Sequence, residues 1–313
     1  MLVRSCPSCS AVVEKSKMPV LQIMILAVVQ GLTELLPVSS SAHVIVAERL
    51  MGLDPGSPEM TFLLVMLHTG TMFAVLIYFW RRWKRLLAPA GGTADSAGNM
   101  EKGHFVKMLM LATACTGILG LALKIIIEQG ILEGVLGYPQ GEVEQLFRNL
   151  PLIGVSLLAG GLLIIAAGTW KKAEKPSGLT GGSSVLIGSM QGLCLPFRGF
   201  SRSGATISTA LFCGIRRELA EDFSFALAVL LTPPVVVLEL RRLLKATGVH
   251  ATTGASLTAL ILPGVLGMCG SFLAGLVALW WLSSWLERGR WRYFGYYGVF
   301  FSGVVFLSHW IGL

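Results

Sequence analysis

The chain has few charged residues. Only 13% of its 313 residues are Asp, Glu, Lys or Arg, whereas 54% are hydrophobic and the mean hydropathy is +0.71. Globular proteins carry about 25% charged residues, so this composition excludes a soluble domain that must cover its surface with polar side chains. The net charge of +8 does not indicate a nucleic-acid partner, because the basic residues occur in short clusters beside apolar segments.

Cysteine and histidine are also scarce, at six and five residues. Cys6 and Cys9 have the spacing of a metal or redox pair, but no second pair or histidine set completes a zinc site. The remaining cysteines lie in apolar segments and are predicted to pack there. Residues 1–17 are polar, and Met18 or Met24 is a plausible start codon, so we interpret residues 1–17 as an extension or a misplaced start.

Long apolar segments dominate the rest of the chain. Since about 20 apolar residues cross a bilayer as a helix, the sequence predicts an all-α polytopic membrane protein with a single domain over residues 18–313. The expected spans are Phe62–Trp80, Phe105–Ile127, Leu152–Trp170, Phe223–Leu240, Ser256–Leu286 and Tyr293–Leu313.

Charges between the spans predict their orientation. Lys171, Lys172 and Lys175 directly follow one span, and the positive-inside rule places such a loop in the cytoplasm. The loop over residues 128–149 instead holds four glutamates and one arginine, so it is predicted to lie outside.

An internal repeat connects two polar stretches. VVQGLTELLPVSSSAH begins at Val28, and SMQGLCLPFRGFSRSGAT begins at Ser189. Each contains Gln-Gly-Leu, a proline and then Ser-x-Ser followed by a small residue. In the alignment Gln30 matches Gln191, Ser39 matches Ser201 and Ser41 matches Ser203.

The number of spans between the two copies predicts their relation. Three spans separate them, and an odd number means that the second copy enters the membrane from the opposite face. We therefore predict inverted-topology repeats, over about residues 20–127 and 180–313, with two re-entrant helical hairpins that meet near mid-membrane. Pro37 and Pro196 are predicted to end the helices at these points.

Together the two copies offer a concentrated set of polar groups. They are Glu34, Ser39, Ser40, Ser41 and His43 from the first, and Arg198, Ser201, Arg202, Ser203 and Thr206 from the second. Arginine with clustered hydroxyls at a helix start is typical of phosphate binding. A carboxylate beside phosphate suggests a divalent cation, and a hydroxyl near a histidine suggests an activated nucleophile. The structural alternative is that the serines cap helices and that Arg202 pairs with Glu34.

At this point the residues resemble a known family. QGLTELLPVSSSAH and GFSRSGATIS are similar to the two signature motifs of bacterial undecaprenyl-diphosphatase, a lipid diphosphate phosphatase of the bacitracin-resistance type. The segments GTMFAVLIYFWRR, GHFVKML, GGLLIIAAG and EDFSFALAV are also similar to family segments, in family order. The resemblance extends from about Val20 to the C-terminus.

The resemblance implies an enzyme of the bacterial cytoplasmic (inner) membrane. Its substrate would be the C55 polyprenyl diphosphate, from which it removes the terminal phosphate and leaves the monophosphate carrier used for cell-wall glycans. Activity in this family depends on a divalent cation, Mg²⁺ or Ca²⁺. The implied partners are the lipid substrate and the bilayer, and a homodimer is left open.

Residue roles follow from the same resemblance. Ser40 matches the proposed nucleophile, His43 the histidine that assists proton transfer, and Arg202 the phosphate-binding arginine. Glu34 matches the second glutamate of a Glu-x-x-x-Glu pattern and is the metal-ligand candidate. The substrate-binding candidates are Gln30, Ser39, Ser41, Arg198, Ser201, Ser203 and Thr206.

Three positions depart from the family pattern and predict a divergent paralogue. Gln30 replaces the first glutamate, which weakens any two-carboxylate metal site. Arg198 replaces the proline before the glycine of the second motif and would supply a second cation to the diphosphate. Ala42 replaces a glycine. The alternative to catalysis is a polyprenyl-phosphate transporter or flippase of the same fold.

Overall fold

A computed structural model describes residues 18–53, 58–87, 102–133, 146, 149–170, 178–247 and 254–312. The described residues form helices and no strands. In chain order the helices are α1 (Val20–Leu35), α2 (Ser40–Leu50), α3 (Pro58–Leu87), α4 (Lys102–Ile125) with a π-helical continuation (Ile126–Glu133), α5 (Leu150–Thr169), α6 (Gly181–Cys194), α7 (Arg202–Phe212), α8 (Arg217–Thr247), α9 (Gly254–Glu287) and α10 (Trp291–Trp310). The extension at residues 1–17 and the basic loop at 171–175 lie outside the described residues.

The all-helical, multi-pass prediction is confirmed. Within the described part of the chain, five helices are long and apolar enough to cross a membrane: Met60–Lys84, Gly103–Ile131, Leu150–Thr169, Arg217–Leu238 and Ile261–Glu287. Helix α10 was also expected to span, and it has 20 residues. It is not among the five, because Arg292 and three tyrosines in its first half make it less apolar.

Glycines of the two sequence repeats allow helices to pack closely. Helix α1 packs on α9, and α6 packs on α4. A Cβ on Gly31 of α1 would lie 2.7 Å from the Ser271 carbonyl oxygen of α9, and one on Gly192 of α6 would lie 3.0 Å from the Thr116 carbonyl oxygen of α4. The glycine of Gln-Gly-Leu therefore serves the same purpose in both repeats: it brings the helix backbone against a neighbour.

A buried ion-pair cluster fixes one end of α3 to the start of α8. Arg82 lies 3.1 Å from Glu221 and 3.0 Å from Asp222, and both carboxylates are buried. The Ser283 hydroxyl of α9 donates to Glu221. Charges out of water are retained only when paired, so this cluster holds the three helices in a fixed arrangement at that end.

Candidate active site

Two broken helices carry the residues of the repeat motifs. The chain leaves helical geometry between α1 and α2 at Pro37, and between α6 and α7 at Pro196, where proline has no N–H to continue the ladder. Ser39 and Ser201, the residues just before α2 and α7, have φ values of 67° and 35°. Among the described residues, they are the two non-glycine positions with positive φ. Such strain persists where the surrounding structure enforces it, commonly at functional sites.

The starts of α2 and α7 meet at one polar cavity of about 200 Å³. Its polar and charged lining includes Glu34, Ser39, Ser40, Ser41, His68, Arg198, Ser201, Arg202 and Ser203. Helix N-termini present unpaired backbone N–H groups and the positive end of the helix dipole. Two of them, with two arginines, make this cavity suited to an anion with several oxygens.

Glu34 is the centre of the hydrogen-bond network in this cavity. Its Oε1 accepts from Arg202 Nη2 at 2.8 Å. Its Oε2 accepts from the Ser40 hydroxyl at 2.5 Å and from Gln30 Nε2 at 3.0 Å. The Ser40 oxygen is therefore held by a carboxylate that can accept its proton, and an arginine lies on the other side of that carboxylate.

Of the eleven side chains singled out in the sequence, eight line the cavity. Gln30 is not part of the lining, and its side-chain amide donates a hydrogen bond to Glu34. Thr206 is fully buried, and its hydroxyl contacts the Arg202 carbonyl oxygen and the Ser224 hydroxyl. The structural alternative is also partly observed, because Arg202 pairs with Glu34 and the Ser201 side chain accepts from the Gly204 N–H. That pairing leaves the remaining N–H groups of Arg202 for a ligand.

His43 lies outside the cavity lining. Its Nδ1 donates to the Ser39 carbonyl oxygen at 2.8 Å, which leaves Nε2 of the neutral ring to accept from the Tyr297 hydroxyl at 2.8 Å. The ring stacks on Phe301 with centroids 3.7 Å apart. These contacts use both ring nitrogens and stabilise the strained Ser39 backbone. The role of His43 in proton transfer stays a prediction, and Glu34 is the acceptor that faces Ser40.

His68 is the site residue that the sequence reasoning missed. It lies on α3, lines the cavity, and places Nε2 3.6 Å from Glu34 Oε2. Its Nδ1 donates to the Leu64 carbonyl oxygen at 2.8 Å, so Nε2 is the nitrogen that faces the cavity. The available signal was an ionisable residue inside an apolar span, which is usually functional in a membrane protein.

The residues present do not fit a resident divalent cation. No group of three or more His, Cys, Asp or Glu among the described residues is arranged to hold a metal ion. Glu34 is the one carboxylate in the described lining, and both its oxygens already accept hydrogen bonds. Mg²⁺ and Ca²⁺ take six or more oxygen ligands, commonly from carboxylates. The metal expected from the sequence resemblance stays a prediction.

The substitution Gln30→Glu is expected to raise the affinity of the polar cavity for a divalent cation. A second carboxylate 3.0 Å from Glu34 would repel it unless a cation lies between them. We expect Mg²⁺ affinity to rise at least about tenfold, equivalent to roughly 1.4 kcal/mol, in calorimetric titration of substrate-free protein. The isosteric control Gln30→Met removes the amide without adding charge and should bind no more Mg²⁺ than the native chain. Equal affinity in all three proteins would contradict this reading of the Gln30 position.

The fold and the cavity define a multi-pass membrane protein whose polar site is built from two broken helices. The model of the family described as "Bacitracin resistance protein BacA" matches residues 23–304, and the chain belongs to this family. It is 55% identical, over 92% of its length and 97% of the relative's, to "Undecaprenyl-diphosphatase 2" of Acinetobacter baylyi. It is 33% identical to "Undecaprenyl-diphosphatase" of Desulfosudis oleivorans over 94% of this chain and 98% of that one. It is 30% identical to "Undecaprenyl-diphosphatase" of Korarchaeum cryptofilum over 93% of this chain and 99% of that one.

Proposed function

We propose that the chain is an undecaprenyl-diphosphate phosphatase of the bacterial inner membrane. It hydrolyses undecaprenyl diphosphate to undecaprenyl phosphate and inorganic phosphate, and so returns the lipid carrier to cell-wall glycan synthesis. The observation that carries this proposal is the Ser40–Glu34–Arg202 arrangement at the start of two helices. Relatives named undecaprenyl-diphosphatase, which the chain matches over nearly their whole length, support it.

In this reaction the Ser40 oxygen attacks the terminal phosphorus. The new Ser40 O–P bond forms as the bridging P–O bond breaks, the serine proton passes to Glu34, and undecaprenyl phosphate leaves with the electron pair. Arg202 and Arg198, which both line the cavity, stabilise the charge on the phosphoryl oxygens. Water then attacks the phosphoserine, and its new O–P bond forms as the Ser40 O–P bond breaks. One water proton returns to Ser40, the other leaves with inorganic phosphate, and Glu34 releases the serine proton to solvent.

Phosphate release from a C55 diphosphate in detergent tests the function directly. We expect one inorganic phosphate and one lipid monophosphate for each diphosphate consumed by purified protein. Protein with Glu34→Gln should release phosphate far more slowly, because the amide cannot accept the serine proton. Absence of phosphate release by the native, folded protein would overturn the enzymatic proposal and favour the transport alternative.

Transport of polyprenyl phosphate remains the second function, and it is less well supported. Broken helices that line a polar cavity at mid-membrane are common in transporters. A transporter needs cationic groups for its substrate but no carboxylate that accepts a proton from a serine hydroxyl. The Ser40–Glu34 hydrogen bond therefore favours catalysis.

We propose further that the fold consists of two inverted repeats, α1–α5 and α6–α10, each with a re-entrant hairpin. The first repeat then includes α5 and extends beyond the residues 20–127 expected from the sequence. The helix pairs formed between the two halves support this, because they are preserved when the halves are exchanged. Helix α1 packs on α9 and, correspondingly, α6 packs on α4; α3 contacts α9 and α8 contacts α4. Helices α5 and α10, the equivalent fifth helices, pack on each other. A homodimer of the whole chain stays a prediction.

Cysteine labelling tests this topology. Single cysteines introduced at Lys172 and at Glu142 into a cysteine-free variant should be labelled from opposite sides of the membrane, with Lys172 inside and Glu142 outside. Both positions lie outside the described residues, in the loops whose charges predict orientation. Labelling of both cysteines from the same side would contradict the inverted repeat.

A further inference from the structure

A second, apolar cleft adjoins the polar cavity. Glu34, His68 and Arg202 line both spaces, so the cleft begins where the charged groups of the site end. From there it runs between α3 and α8. Its apolar lining is Leu35 on α1, Met72 and Val75 on α3, and Phe225, Ala228 and Val229 on α8; the threonines Thr71 and Thr232 also line it.

The spacing of these residues shows that both helices turn one continuous face to the cleft. Met72 and Val75 follow His68 at four and seven positions, and Ala228 and Val229 follow Phe225 at three and four. The adjacent residues Phe73 and Leu230 are exposed outward, at 43% and 40% of their surface. The cleft is therefore an inner surface between two helices, separate from their lipid-facing sides.

The two helices are fixed at one end and deformable at the other. The Arg82 ion pairs with Glu221 and Asp222 hold them together beyond Val75. At the opposite end, Pro233 and Pro234 lie inside α8 and deprive the Val229 and Leu230 carbonyl groups of their helical donors. The cleft holds about 20 Å³, against about 200 Å³ for the polar cavity. The headgroup space is preformed, whereas the cleft must widen to admit more than a water molecule.

We propose that the cleft between α3 and α8 binds the first isoprene units of the substrate's prenyl chain. The inference rests on the proposed function. An amphiphilic diphosphate needs a polar pocket and an apolar one that meet at the phosphate, and the two spaces here share the groups that contact phosphate. The chain enters by parting α8 from α3 near Pro233 and stays against Met72 and Val229, while its remainder lies in the bilayer.

Photocrosslinking locates the chain independently of catalysis. A prenyl diphosphate with a photoreactive group in its second isoprene unit, added to native protein in detergent, should label peptides from α3 and α8. Excess unlabelled prenyl diphosphate should suppress the labelling. Labelling confined to other helices would overturn the proposal, as would α3 and α8 labelling that unlabelled prenyl diphosphate does not suppress, which indicates an ordinary bilayer-lipid contact. If native protein crosslinks at α3 and α8 but releases no phosphate, the proposed enzymatic function fails while the assignment of the cleft stands.

Tryptophan substitutions test whether the cleft sets chain specificity. Met72→Trp and Val229→Trp fill the cleft. The matched controls Phe73→Trp and Leu230→Trp place the same indole at the neighbouring positions, whose side chains are exposed outward. We expect kcat/KM for a C55 diphosphate, relative to a C5 diphosphate, to fall at least about tenfold in the two cleft variants and to change less than about twofold in the controls. Met72→Ala removes side-chain volume from the cleft and should leave the ratio of the two kcat/KM values equal or higher. It keeps the assignment testable if the tryptophan variants misfold. A ratio unchanged in all the cleft variants would overturn the assignment.

Discussion

Arg202→Ala is expected to lower the rate of phosphate release at least about 100-fold, or roughly 2.7 kcal/mol of transition-state stabilisation. Arg202 is the first residue of α7, lines the polar cavity, and lies 2.8 Å from Glu34. Its loss removes charge-assisted hydrogen bonds to the phosphoryl group and leaves the Glu34 carboxylate without its cation, so phosphate meets an uncompensated negative charge. The measurement is kcat/KM for a C55 diphosphate.

Two further variants serve as controls for the effect of Arg202→Ala on turnover. Arg202→Lys keeps the charge but lacks the planar pair of donors, so it should lose less activity than alanine. Arg288→Ala removes an exposed arginine between α9 and α10 and should leave turnover unchanged. Near-native turnover of Arg202→Ala would show that the Arg202–Glu34 pair has a structural role and no part in catalysis.

Ser40→Ala is expected to abolish phosphate release while binding of a non-hydrolysable diphosphate survives. The Ser40 hydroxyl donates to Glu34 at 2.5 Å and so has its proton acceptor in place. Ser39 contributes mainly through its backbone, at φ 67° and with its carbonyl oxygen bound by His43. Ser39→Ala and Ser41→Ala should therefore cost much less in kcat. Turnover and affinity for the non-hydrolysable analogue, measured on the same preparations, separate a loss of catalysis from a loss of substrate binding.

The asymmetry among the three serines is what the hypothesis requires. Equal losses in all three variants, or normal turnover by Ser40→Ala, would remove Ser40 as the nucleophile. A water molecule activated by Glu34 would then be the better choice of attacking group. A trapped phosphoserine at position 40, found by mass spectrometry after rapid quenching, would support the covalent route.

The polar cavity was largely predictable from sequence because local patterns encode it. Two copies of one motif, each with a proline followed by serines, indicated two helix starts, and ionisable residues inside apolar sequence indicated that Glu34 and Arg202 meet. Both features depend on local chemistry: proline ends a helix, and a charge in a membrane needs a partner. The eight motif residues that line the cavity follow from these two facts.

The orientation of individual side chains was harder to predict from the sequence, because residues far away in the chain determine it. His43 was predicted to share a helix face with Ser40 because they are three positions apart, whereas the contacts of its ring with Tyr297 and Phe301 could not be foreseen. Tyr297 is 254 positions away in the chain, and no spacing rule connects the two. His68 was overlooked although it is an ionisable residue inside an apolar span; only its contact with Glu34, which lies on another helix, could not be read from spacing. The lower apolarity of α10 was readable from the sequence itself, in its tyrosines and Arg292.

The Glu34–Arg202 pair has a consequence for biogenesis, because its partners are 168 positions apart. At about 5–20 residues per second, a ribosome that has made Glu34 needs roughly 8–34 s more to make Arg202. During that interval the first broken helix carries a carboxylate with no cation, and burial of that charge in lipid is costly. The nascent hairpin therefore has to wait at the membrane surface or enter with a protonated Glu34, and it settles only when α7 arrives. The polar cavity therefore cannot assemble before α7 has been made, and a chain truncated before Arg202 should be recognised as unfinished by the membrane quality-control machinery.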